Sequence, residues 1–180
     1  MSKIETNTID NISGSSTLTI GDSNTSTITL KSGATLTNFP SNTPIVLARC
    51  STTTSCSDGT ATKITLDNEL IDTDNLFASS RFTVTSGYEG KYLVHWRLSF
   101  NHTANEKYAL SLIYKNGSTL VYGQHWSGRG SNHTMMSEAS YIADMTTNDY
   151  LEFYAQQNSG GTKSNNGGDL THVYITKLIT

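Results

Sequence analysis

The chain has 180 residues, a mass of 19.6 kDa and a formal net charge of −3, which suits one globular domain with a small appendage. Only 15% of the residues are charged, against roughly 25% in an average soluble protein, while 28 Thr, 23 Ser and 15 Asn fill more than a third of the positions. No apolar run reaches the roughly 18 residues of a membrane span. The 12 basic and 15 acidic residues argue against nucleic acid as the main partner, and the excess of strand formers over helix formers predicts an all-β chain.

Residues 1–42 differ from the rest. They contain no aromatic except Phe39, and no His, Cys or Trp. The opening MSKIETNTID has no apolar core of a secretory signal, so none is expected. Ser16-Thr17-Leu18-Thr19-Ile20-Gly21 is echoed ten residues later by Ser26-Thr27-Ile28-Thr29-Leu30-Lys31, and the period-two alternation predicts short strands with turns between them. One copy of such a segment buries very little. Leu18, Ile20, Ile28, Leu30 and Leu36 therefore predict an arm that becomes ordered against other copies or a host surface.

Pro40 and Pro44 mark the start of a different pattern, which gives an arm over 1–42 and a head over 43–180. Pro44 to Arg49 reads as a buried strand and Arg81 to Thr85 as another. Lys91 to Phe100 is the clearest element: Tyr92, Val94, Trp96, Leu98 and Phe100 fall on one face, and Leu93, His95, Arg97 and Ser99 on the other. Tyr108, Leu110, Leu112 and Tyr114 predict the same arrangement in the next strand. Lys115-Asn116-Gly117-Ser118 is a tight hairpin turn, after which Thr119 to His125 returns. Ser137 to Asp144 and Tyr150 to Ala155 read as a further pair. A flexible loop over 158–168 precedes the last strand, His172 to Ile179. About ten strands with polar turns predict a sandwich or jelly roll. Cys50 and Cys56 are compatible with free thiols, a loop-closing disulfide or, less well, a zinc site.

The head resembles the C1q/TNF-like trimeric jelly roll. The resemblance is carried by Phe82-Thr83-Val84, by Gly90-Lys91-Tyr92-Leu93-Val94-His95-Trp96, and by the strand Leu110 to Tyr114 ending in Lys115-Asn116-Gly117. It continues with Tyr141-Ile142 leading to Asn148-Asp149-Tyr150-Leu151-Glu152-Phe153, and with Tyr174 to Leu178. Asn148 and Thr176 stand where the family has glycine, and no collagen-like stalk precedes the head. The arm is similar to Thr/Ser/Asn-rich segments of marine bacteriophage appendage proteins. Together these resemblances imply a homotrimeric virion structural subunit: a capsid decoration, head fibre or short tail appendage, assembled in the host cytoplasm and displayed on the virion surface. The arm would meet a capsid or tail protein. The alternative they imply is a receptor- or glycan-binding recognition module, a phage tip or a secreted C1q/TNF-like protein.

The chemistry of the chain predicts no enzyme, no cofactor and no metal. No Gly-x-Ser-x-Gly elbow, P-loop, His-Glu-x-x-His or calcium-loop pattern occurs. His95, His102, His125, His133 and His172 are scattered and read as solvated. Asp72-Thr73-Asp74-Asn75 is a carboxylate-rich turn whose oxygens suit calcium as the alternative to a plain turn, while Glu138, Asp144 and Asp149 read as solvated charges. Tyr122, His125, Trp126, Arg129, Asn132 and His133 form one polar-aromatic loop region. It offers the stacking faces and hydrogen-bond partners that a carbohydrate or protein contact needs, or else Trp126 plugs a trimer seam or covers the end of the barrel.

Overall fold

The computed structural model describes residues 43–102, 107–123, 126–127 and 133–178. In chain order the strands are β1 (Ile45–Cys50), β2 (Ser55–Cys56), β3 (Thr62–Lys63), β4 (Asn68–Asp72), β5 (Phe77–Ala78), β6 (Arg81–Thr83) and β7 (Gly90–His102). There follow β8 (Tyr108–Lys115), β9 (Ser118–Tyr122), β10 (Trp126–Ser127), β11 (His133–Met145), β12 (Tyr150–Gln157), β13 (Lys163–Ser164) and β14 (Gly168–Lys177). One sheet has the order β11-β7-β14-β1-β4. The second runs β10-β8-β12-β6-β5, with β9 added to β8 and β3 to β12. β2 and β13 form a separate ribbon. Every pair of adjacent strands is antiparallel.

The alternation in β7 sets the core. Tyr92, Val94, Trp96, Leu98 and Phe100 are all fully buried, as expected, and β14 adds Val173 and Ile175 beside them. Phe82, Leu151, Phe153 and Ala155 face them from the second sheet. Trp96 lies 5.5 Å from the Phe153 ring, and its Nε1–H donates to the Tyr154 carbonyl at 3.1 Å. Phe82 and Tyr92 meet edge to face at 5.1 Å, a geometry favoured by the ring quadrupoles.

In β8 the predicted core set points the other way. Ala109, Ser111 and Ile113 face the core, whereas Tyr108, Leu110 and Tyr114 are half-buried on the outer face and Leu112 is covered there. The reason is volume. Trp96, Phe100 and Phe153 already fill the roughly 10 Å between the sheets, so small side chains are needed opposite them. Tyr114 instead stacks on Tyr154 at 4.1 Å on the outside.

Two further expectations change and one holds. β11 and β12 are not partners: β11 pairs with β7 and β12 with β8, so the link between them crosses from one sheet to the other. The Lys115–Ser118 hairpin does form, with Asn116 and Gly117 at φ 53° and 79°, the left-handed pair that a two-residue turn requires. The loop before the last strand is tied down. Asn165 is buried, accepts the Thr54 N–H at 2.6 Å, and donates to the Asn166 carbonyl at 2.9 Å and to Cys50 Sγ at 3.4 Å. Cys50 and Cys56 are free thiols, both buried in the core. Burial pushes Cys50 up to about 12 and Cys56 up to about 11.

One position needs glycine for space. A Cβ on Gly123 would lie 2.0 Å from Ser111 Oγ and 2.6 Å from the Glu138 carbonyl oxygen. There the two sheets are joined by Ser137 Oγ, which accepts the Ser111 N–H at 2.8 Å and donates to Ser111 Oγ at 3.0 Å.

Trp96→Ala is expected to destabilise the head by about 3–5 kcal/mol, read as a lower midpoint in urea or heat. A variant that melts within a degree or two of wild type would remove Trp96 from the centre of the core.

Candidate interaction surface

The outer face of the five-stranded sheet carries three rows in register. The first runs Ile142–Leu93–Thr176–Ile45 and the second Ser140–His95–Tyr174–Leu47–Ile71. The third runs Glu138–Arg97–His172–Arg49–Asn68. Two rows are thus largely aliphatic or aromatic, and one is charged. The charges are paired: Arg49 with Asp169, and Arg97 Nε with Glu138 at 3.6 Å, with Arg97 Nη2 also 2.7 Å from Met136 Sδ.

The exposed large hydrophobic side chains fall in two places. On the edge strand β11, Ile142, 55% exposed, lies in the first outer row and Tyr141, opposite the buried Val94, on the other face, while Tyr122, 68% exposed, is on β9 of the second sheet. Leu70 and Ile71 lie on the opposite edge, β4, with Leu170 on β14. Scattered surface hydrophobics need no explanation, but Ile142 on β11 and Ile71 on β4 expose apolar side chains at both edges of one sheet, which makes this face the candidate contact surface. Between β9 and β11 is a cleft of about 330 Å³ lined by Val121, Tyr122, Gly123, Glu138, Ala139 and Ser140.

Of the residues singled out in the sequence, Tyr122 lies on this edge. Trp126 pairs with Ala109 and His133 with His102 in their strands. His125, Arg129 and Asn132 lie outside the described residues, as do Leu18, Ile20, Ile28, Leu30 and Leu36. His95 and His172, far apart in sequence, are neighbours with ring centroids 6.1 Å apart. The Asp72–Asn75 turn uses its carboxylates internally: Asp72 accepts the N–H groups of Leu76 and Phe77 at 3.2 and 2.8 Å, and Asp74 accepts the Tyr88 hydroxyl at 3.1 Å. Among the described residues no three His, Cys, Asp or Glu side chains are grouped to hold a metal ion.

Asp149, expected to be solvated, is instead a clamp between two turns. It receives Lys115 Nζ at 2.8 Å, Asn116 Nδ2 at 2.7 Å and the Thr146 N–H at 2.8 Å. Those bonds, Lys115 first, hold its carboxyl well below the usual carboxylate range. On the outer face of the second sheet, burial pushes Glu152 up, but Lys63 and Arg81, both at 2.8 Å, outweigh it and its carboxyl also lies low. Arg81 in turn covers the Tyr150 ring at 4.1 Å.

No family model matches the sequence, and no curated protein matches it. Solved structures do. The globular domain of a zebrafish complement 1qA protein superposes with a TM-score of 0.54 at 12% identity, over 76% of this chain and 98% of that one. The fold is a C1q/TNF-type jelly roll. Murine APRIL at pH 5.0 gives 0.56 at 14% identity, over 74% and 98%, and the Eiger TNF of S. frugiperda 0.55 at 11%, over 75% and 92%. At these identities the likeness concerns the jelly roll alone.

The depressed carboxyls fix the acid limb of stability. A group whose folded pKa is lowered stabilises fully above its unfolded value and loses that contribution as the pH falls through the folded value. Urea midpoints of the head are therefore expected to be flat down to about pH 5 and to fall below about pH 4. Asp149→Asn should lower the neutral midpoint and flatten the acid limb; an unchanged acid slope would show that the Asp149 clamp does not form.

Proposed function

We propose that the chain is a non-catalytic structural subunit of a virus particle, a homotrimer whose jelly-roll heads face outward and whose arm, residues 1–42, attaches it to a capsid or tail protein. The carrying observation is the pair of apolar groups on different parts of one head. Ile142 and Tyr141 are exposed on the edge strand β11, and Leu70 and Ile71, the latter in one row with the half-buried Leu47 and Tyr174, are exposed on the opposite edge strand β4. Two unlike patches on one molecule meet head to tail, and such contacts close into a ring when the rotation allows. The number three comes from the C1q/TNF resemblance. The phage setting comes from the resemblance of the arm and from its ten-residue repeat, whose thin apolar edge suits wrapping with other copies or stapling to a larger surface.

A receptor- or glycan-binding head is the second reading, and the exposed Tyr122 at the mouth of the 330 Å³ cleft favours it. An aromatic face beside Glu138 and Ser140 has the make-up of a sugar contact. The two readings compete for the same edge, because a copy docked on β11 covers Tyr122.

Light scattering of the full chain should give the mass of three copies. Ile142→Arg should reduce it to one copy with an unchanged near-ultraviolet circular dichroism spectrum. A chain lacking residues 1–42 should remain trimeric yet fail to join particles in reconstitution. A monomeric wild type would end the trimer reading, and normal decoration by the truncated chain would end the anchoring role of the arm. Retention of glycans by wild-type protein but not by Tyr122→Ala would favour the second reading.

A further inference from the structure

Two imidazoles sit at the centre of the sheet face on which a second copy would dock. His95 on β7 and His172 on β14 are half-buried within a single chain, with ring centroids 6.1 Å apart and planes tilted by 45°. His172 Nδ1 is 2.9 Å from the Asp169 carbonyl oxygen. That oxygen only accepts, so Nδ1 carries the proton and Nε2 is left with the lone pair. His95 Nδ1 is 2.9 Å from Ser140 Oγ on β11.

The surrounding groups balance only while both rings are neutral. β7 contributes Arg97, β11 Glu138, β14 Asp169 and the neutral Tyr174, and β1 Arg49; β4 places Asn68 in the same row. Arg97 faces Glu138, and Arg49 is paired with Asp169. Lys91 and Asp144, paired across β7 and β11, lie further along the same face, whereas Lys177 on β14 takes the opposite parity, in register with the core residue Tyr92. Two guanidiniums are thus matched by two carboxylates, and no third carboxylate among the described residues of these rows is placed to receive an imidazolium. Protonating both rings adds two positive charges per copy beside Arg97 and Arg49. A docked copy would also remove the water that solvates those charges.

We propose that the assembly is acid-labile: protonation of His95 and His172 releases the copies docked on this sheet face, so that the heads separate as the pH falls below neutrality. This rests on the copy-on-copy docking proposed above. Burial, aided by His172 and Arg97 and opposed by Glu138, already holds His95 below its ordinary value of 6.5 within one chain. A base held low stabilises fully above its ordinary value and loses that contribution as the pH falls below it. Docking extends the same effect, and each unit of further lowering per imidazole corresponds to about tenfold in association.

The test is sedimentation velocity of the full chain at about pH 7.5 and about pH 5.5, with near-ultraviolet circular dichroism at both. Wild type is expected to be assembled at the higher pH and at least about tenfold more weakly associated at the lower, with its folded spectrum retained. His95→Gln/His172→Gln should be assembled at both. The proposal is overturned if wild type associates equally at both, associates more tightly in acid, or loses its folded spectrum in acid. It is also overturned if the double variant dissociates in acid as wild type does. Wild type monomeric at both values would overturn the docking reading itself, and the switch with it.

Discussion

The sandwich is organised around one indole. Trp96 rises from the central part of β7, packs on Phe153 and ends on the Tyr154 carbonyl in the opposite sheet. A side chain of that size spanning the gap dictates what may stand opposite, since interiors are packed as densely as organic crystals. Ala109, Ser111, Ala139, Ala143 and Ala155 all face inward. The outer faces inherit what the core excludes: the Tyr114–Tyr154 stack on one sheet, and Leu93, Tyr174 and Leu47 on the other. The outward apolar rows and the histidine pair therefore follow from the packing of the core as much as from local sequence.

This dependence explains which elements could be read in advance. β7 was legible because its two parities differ sharply, five large apolar residues against Leu, His, Arg and Ser. β8 was not, because its outward parity, Tyr108, Leu110, Leu112 and Tyr114, is more hydrophobic than its inward one. Periodicity marks a strand, but the volume available across the gap decides which face turns in. The 146–149 link looked like a hairpin turn, and its length alone holds no information about a change of sheet. Asn165 carries a polar side chain in a Gly- and Asn-rich stretch, so nothing local marked it as buried. Its role depends on Thr54 and Cys50, more than a hundred residues earlier.

The candidate surface was less legible than the fold. Tyr122 was recognised through its loop. Leu70-Ile71 and Tyr141-Ile142 are short apolar pairs in polar segments, and their place at the two ends of one sheet is known only once β11 and β4 are known to be its edges. The histidines illustrate the same point. Read as scattered along the sequence, His102 and His133 pair across β7 and β11, and strand order brings His95 to His172, 77 positions on in the chain. Charge was misjudged in a parallel way. In a chain so poor in ionisable groups, Asp149 is a fixed structural link rather than a solvating charge.

The two cysteines carry a consequence for where the head can exist. Thiol oxidation and exchange proceed through the thiolate, and burial holds both sulfurs overwhelmingly as neutral thiols at physiological pH. Asn165 Nδ2 caps Cys50 Sγ, and the chain over 158–168 covers this end of the sandwich. The jelly roll relies on no covalent cross-link between them. It therefore keeps the same architecture in a reducing or an oxidising medium, and a protein made in one compartment and exposed in another carries its fold across the change unaltered.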